Sequence, residues 1–199
     1  MSTGNSSKHI PLSLRRKLVI ALDGDVLVSA NSSESSEDVN RETKNRFATF
    51  KTVAWVKANI IRPSEDHVFL MTCIDPSSGA IDTATVTAMW NSLFGAENHA
   101  SRVKQAEAAL SRLSDALSKV GVSVSTEVVL GPPSEKVSEY VHAHHGEILV
   151  VQAPVRSVLM STISYSWADQ CAYAAECPTV IVKQSDLPDH IAVALDPPH

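Results

Sequence analysis

Four short runs of continuous apolar residues constrain this chain more than any other feature: KLVIALD at 17–23, DHVFLMTCID at 66–75, EILVVQ at 147–152 and TVIVK at 179–183. Unbroken runs rich in Val, Ile and Leu are what strands buried on both faces of a parallel sheet require. A fifth run, VSVSTEVVLG at 122–131, alternates in polarity and suits a strand nearer the sheet edge. Helical patterns separate them. The segment 47–61 places Phe47, Phe50, Ala54, Val56 or Val53, and Ile60 or Ile61 at helical spacing before Pro63 stops it. Residues 81–94 are weakly helical, whereas over 99–120 Val103, Ala106, Leu110, Leu113, Leu117 and Val120 share one stripe, with Gly121 as its cap. Pro132 and Pro133 fit only the first turn of a helix or the residue before it. The buried side of that short helix is Val137, Tyr140 and Val141, and it ends at Gly146. The segment 166–176 supplies a last helix, and Pro178 introduces the last strand. Strands alternating with helices force right-handed crossovers, so the predicted fold is α/β, a doubly wound five-stranded parallel sheet with helices on both faces.

A length of 199 residues suits one core with appended ends rather than two cores. The expected organisation is a disordered tail at 1–16, a domain at 17–183 and a further tail at 184–199. Within the domain, 28–46 is a Ser-rich, charge-alternating insertion too polar to offset the entropy of ordering. No internal repeat recurs at a fixed period. The first 22 residues contain no acid but hold Lys8, Arg15, Arg16 and Lys17 among serines. That composition is faintly like an organellar transit segment but lacks its amphipathic pattern, so a plain tail is expected.

In an open parallel sheet, ligands bind beyond the carboxyl ends of the strands where strand order reverses. The candidate loops are therefore those at Asp23-Gly24-Asp25, at Cys73-Ile74-Asp75 and from Gln152 to Ser166. Here the residues resemble a known family. LVIALDG looks like the opening of universal stress proteins, in which an apolar strand ends in an aspartate. EILVVQAPVRSVLMSTISYSWADQCAYAAECPTVIVK is similar to their C-terminal half, especially that of plant-type members. The resemblance spans about 17–183 and implies the adenine-nucleotide-binding fold of that family.

The resembled nucleotide motif is a Gly, two residues, a second Gly, nine residues, then Gly-Ser or Gly-Thr. Counting back from Cys177-Pro178 sets Ser166 on its hydroxyl residue and puts Tyr165, Val155 and Gln152 where it has glycines. No glycine follows Gly146 anywhere in the chain. Such glycines let backbone N–H groups converge on a phosphate at positive φ with no Cβ in the way. Val155 is among the worst residues for that conformation, and Tyr165 would put a ring where a triphosphate should lie. The expectation is thus no cofactor, with ATP or AMP disfavoured. Asp23 matches the family's adenosine-contacting aspartate by position, although a carboxylate at a strand end also serves simply to cap the next loop.

Seventeen Lys and Arg against 22 Asp and Glu give a net charge of −5, a poor field for nucleic acid. Cys73, Cys171 and Cys177 lack CxxC spacing, which suits buried thiols in a reducing cytoplasm. His142, His144 and His145 invite a metal, yet imidazoles near a helix C-terminus are explained by its dipole, and no metal is expected. No stretch approaches a membrane-spanning length. The serines of the insertion, beside Glu and Asp, suit phosphorylation as an alternative to plain disorder. The edge strand at 179–183 is nearly all β-branched and must be covered or paired; in the resembled family it pairs with its twin across a two-fold axis, which implies a homodimer. The function expected is a non-catalytic, cytoplasmic homodimeric domain in stress response or signalling with lost or weak ATP binding. The alternatives are an adenine-nucleotide-binding member using Asp23 and Ser166, with slow hydrolysis, and an enzyme of the wider nucleotide-binding α/β group.

Overall fold

The computed structural model describes residues 10–29, 49–75, 86–153, 166–183 and 187. Five parallel strands form one sheet: β1 (Arg16–Leu22), β2 (Asp66–Ile74), β3 (Ser123–Leu130), β4 (Ile148–Gln152) and β5 (Thr179–Val182). Their spatial order is β3-β2-β1-β4-β5. The helices are α1 (Gly24–Ser29), α2 (residues 49–59), α3 (Val86–Ser118), α4 (Pro133–His144) and α5 (Trp167–Ala174). This is the expected doubly wound α/β architecture. The polar alternation of 122–131 does place β3 at an edge, while β1, read as a central strand, has β2 on one side and β4 on the other.

Two apolar clusters sandwich the sheet. Leu18, Ile20 and Leu22 of β1 face a core completed by Val53, Val56, Leu110, Leu113 and Leu117 from α2 and α3. Val19 and Ala21, on the opposite face, meet Val137, Tyr140 and Val141 of α4 and Cys171 of α5. Alternate residues of a strand point to opposite faces, so a strand that is apolar at every position is buried twice. Each large side chain removed from water in this way contributes about 1.5–3 kcal/mol.

The register of β1 on β2 is fixed at its start by an ion pair. Arg16 donates from Nε to Asp66 Oδ1 at 2.8 Å and from a terminal nitrogen to Asp66 Oδ2 at 2.7 Å, and also to the Ile60 carbonyl at 2.9 Å. Asp66 accepts a further bond from the Arg62 N–H at 2.7 Å and is completely buried. At the other end, Thr72 donates its hydroxyl proton to the Leu22 carbonyl at 2.9 Å.

Four local readings are corrected. The helical patterns at 81–94 and 99–120 form one continuous helix over their described part, Val86–Ser118, because Gly95 costs only about 1 kcal/mol in a helix and no proline breaks the backbone ladder. Val120 does not lie on the buried stripe; it sits 40% exposed in the turn after the helix, where Gly121 takes φ +81°. The α4 helix stops at His144 rather than at Gly146, and His145 adopts the left-handed conformation at φ 53°. The short helix α1 went unread in the sequence and takes in residues 28 and 29, which had been counted with the insertion.

Candidate functional site

Strand order reverses between β1 and β4, so the ligand crevice of this sheet lies beyond Leu22 and Gln152. Asp23 follows β1 directly, and its carbonyl accepts the Leu27 N–H at 3.1 Å as α1 begins. Gly24 is required there by packing: a Cβ at this position would collide with the carbonyl oxygen of Cys73. The aspartate-glycine pair therefore brings the start of α1 tightly against the end of β2.

Gln152 is the last residue of β4 and has no exposure to solvent. Its Oε1 accepts the Asp23 N–H at 3.3 Å, and its Nε2 donates to the Thr49 hydroxyl at 3.3 Å. A glycine here would leave the crevice open to a ligand; the glutamine amide fills it and uses its own polar groups on the walls. Buried amides require such partners, since an unmatched polar group costs about 1–3 kcal/mol. Thr49 is itself 1% exposed, at the start of the described part of α2.

Ser166 is the N-cap of α5. Its Oγ accepts the Asp169 N–H at 3.1 Å and donates to Asp169 Oδ2 at 2.6 Å, while its own N–H reaches the same carboxylate oxygen at 3.0 Å. This reciprocal capping box places an internal carboxylate on the positive end of the helix dipole, where an external anion would otherwise gain most. Val155 and Tyr165, two of the motif positions, lie outside the described residues.

Beside Asp23 is a cavity of about 110 Å³, lined by residues that include Leu22, Asp23, Cys73, Asp75, Pro133 and Trp167. Among the described residues its charged lining is Asp23 and Asp75. Lys136 is engaged with Glu139 at 2.7 Å and Glu135 at 3.7 Å. Burial pushes the Cys73 thiol up to about 12, with Lys136 opposing the shift only in part, so it is not a nucleophile near neutral pH. Burial likewise pushes the Cys171 thiol up to about 12 and raises that of Cys177.

The structure thus brings Asp23, Gln152 and Ser166 to the carboxyl end of the sheet, with Gln152 bonded to the Asp23 backbone. Sequence reasoning missed Thr49, Asp169 and Trp167. The Ser166-x-x-Asp169 spacing is a legible capping signature, whereas Thr49, a polar residue inside the 47–61 helical pattern, carried no signal. The three histidines diverge: His142 pairs with Glu176 at 3.1 Å, His144 lies 4.0 Å from Glu127 and stacks on Tyr140, and His145 caps α4. Among the described residues no group of His, Cys, Asp and Glu is arranged to hold a metal ion, and no helix is long and apolar enough to cross a membrane.

Comparison with known proteins gives one family. The universal stress protein family matches residues 48–183. Among solved structures, hypothetical protein MJ0577 is similar at 16% identity with a TM-score of 0.56, covering 85% of this chain and 96% of that one. A universal stress protein from Archaeoglobus fulgidus is similar at 13% identity and TM-score 0.51, over 84% of this chain and 93% of that one. A universal stress protein family protein from Arabidopsis thaliana, solved with AMP bound, is similar at 16% identity and TM-score 0.50, over 84% and 91%. At these identities the likeness establishes the fold. No curated protein matches the chain.

Proposed function

Because this chain belongs to the universal stress protein family, we propose that it works as a non-catalytic, homodimeric module of stress response or signalling in the cytoplasm whose capacity to bind ATP is lost or weak. The observation that carries this reading is Gln152: a fully buried side chain stands in the crevice at the strand-order reversal and joins the Asp23 N–H to the Thr49 hydroxyl. A triphosphate needs open backbone and unopposed N–H groups, and this segment offers side chains in their place. The Asp169 carboxylate, bonded to the Ser166 N–H and hydroxyl, already occupies the α5 N-terminus where an anion would sit. Homodimerisation through 179–183 is supported by the position of β5 at the sheet edge among the described residues and by its β-branched composition. Calorimetric titration of the purified protein with ATP is expected to give no micromolar binding; micromolar affinity overturns the reading.

A second reading keeps a nucleotide with fewer phosphates, seated at Asp23 and Ser166. It is favoured by the cavity beside Asp23 and by the AMP bound in the Arabidopsis relative. Native mass spectrometry separates the two readings. Co-purified AMP selects the second, and an unliganded mass supports the first.

A further inference from the structure

At the end of the sheet away from β5, strand β3 pairs with β2 alone among the described residues, and its middle residues Ser125, Thr126 and Glu127 are exposed. Just past the strand, the Gly131 N–H donates to the Ile74 carbonyl at 3.0 Å. Main-chain groups of successive strand residues point to alternate sides, so the odd-numbered residues of β3 direct theirs at β2. Val124, Thr126, Val128 and Leu130 therefore turn their N–H and C=O groups outward. Edges of this kind are ordinarily blunted by lysine, proline, a bulge or shortness. β3 runs for 8 residues without lysine or proline, and its register on β2 is unbroken from Ser123 to Leu130.

The two faces along this edge differ. Val124 and Val128 are half-buried against the apolar cluster that includes α3. On the other face α4 lies over β1 and β2, and Ser125 and Glu127 stay in solvent. Glu127 is the single charged residue of the strand. Its carboxylate is 4.0 Å from His144 Nε2 and is hydrogen-bonded to Tyr140, whose phenol is held protonated first by burial and then by Glu127. Two side chains of α4 thus fix this carboxylate beside the open edge.

We propose that the outer edge of β3 takes up an extended basic peptide of a partner protein as an antiparallel sixth strand, with an arginine or lysine opposite Glu127 and β-branched residues opposite Thr126 and Val128. In strand addition the main-chain bonds supply affinity and alternate side chains supply selectivity. A cation opposite Glu127 makes an opposite-charge cross-strand pair, and β-branched neighbours extend the apolar surface of Val124 and Val128. The same charge argues against a second copy of this chain. A two-fold antiparallel pairing centred on the outward residues, 124 to 130, sets Glu127 against its own counterpart, and like charges directly opposite destabilise. The net charge of −5 also favours a basic partner. Because β5 lies at the other end of the sheet, the proposal stands independently of the homodimer.

The test is fluorescence anisotropy of the full chain with a fluorescein-labelled peptide, Val-Thr-Val-Arg-Val-Thr-Val. One control peptide has glutamate in place of the arginine, and another is N-methylated at the two valines flanking it. Thr126→Pro removes an outward N–H that the ladder to β2 does not use, so the fold is retained, as circular dichroism and the thermal midpoint verify. The wild type is expected to bind the arginine peptide at micromolar concentration, the glutamate peptide about fivefold more weakly and the N-methylated peptide about tenfold more weakly. Thr126→Pro is expected to lose about tenfold in affinity, and Glu127→Lys to reverse the preference between arginine and glutamate peptides. Absence of binding to the wild type, or equal affinity in a folded Thr126→Pro protein, overturns the proposal. Should Thr126→Pro fail to fold, an unchanged peptide preference in Glu127→Lys overturns it instead. Self-association that Thr126→Pro abolishes in sedimentation velocity would assign the edge to a second copy and overturn it as well.

Discussion

Asp66 has no solvent exposure, and its oxygens are shared between the Arg16 guanidinium and the Arg62 N–H. Removing the arginine would strand a buried carboxylate, which costs far more than the pair itself contributes. Arg16→Ala is expected to destabilise the fold by about 3 kcal/mol, the low end for breaking a buried pair because Arg62 still donates. Chemical denaturation would read this as a lower midpoint at unchanged slope; no change would show the pair to be dispensable. Neither the pair nor the Gln152 bridge was legible in the sequence. Residue type announced that Gln152 is not a glycine, and hence what the crevice lacks. It did not announce that the amide would bond Asp23 and Thr49, which lie 129 and 103 residues away. Such bonds depend on the strand order, and apolar pattern does not encode that order.

The individual elements were more legible, because burial on both faces leaves an unbroken apolar run and needs no partner to be recognised. Where the sequence misled, the ends of elements were at fault: α3 passes through Gly95, and α4 stops before Gly146 rather than at it. The cap of α4 is His145 at φ 53°, a conformation that is strained for a residue with a Cβ. His145→Gly is expected to stabilise the protein by about 0.5–1 kcal/mol, seen as a rise in thermal midpoint of roughly 1–4 °C. A fall would mean that the His145 side chain holds more than its backbone does.

Where β2 meets β3, the His67 ring lies against the Ser123 and Ser125 hydroxyls at 2.8 and 3.1 Å and packs edge-on to Phe69. Burial lowers its proton affinity below the ordinary 6.5, and Arg15, Lys17 and His144 add to the effect. The unfolded chain then binds this proton first. The contribution of His67 is intact above about pH 7 and is lost as pH falls below 6.5 through the lowered folded value. Urea titrations from pH 7.5 to 5 should show a falling midpoint that His67→Gln flattens; parallel curves would place the acid sensitivity elsewhere.

On the scale of the whole molecule, the crevice at the strand reversal is crossed by a link that joins distant parts of the chain. The Gln152 amide touches Asp23, just before α1, and Thr49, in α2, so both flanks of the intervening segment are fastened to one side chain. For a flexible linker between two fixed points, closure entropy grows only with the logarithm of length, about 0.6 kcal/mol for each doubling. Replacing residues 30–48 with a short Gly-Ser linker should therefore leave the thermal midpoint within roughly 3 °C, and a larger fall would show that those residues help hold the sheet together. An insertion engineered between α1 and α2 would then begin and end at elements that one glutamine already ties together, so the cost of lengthening it would fall on the insert and not on the sheet.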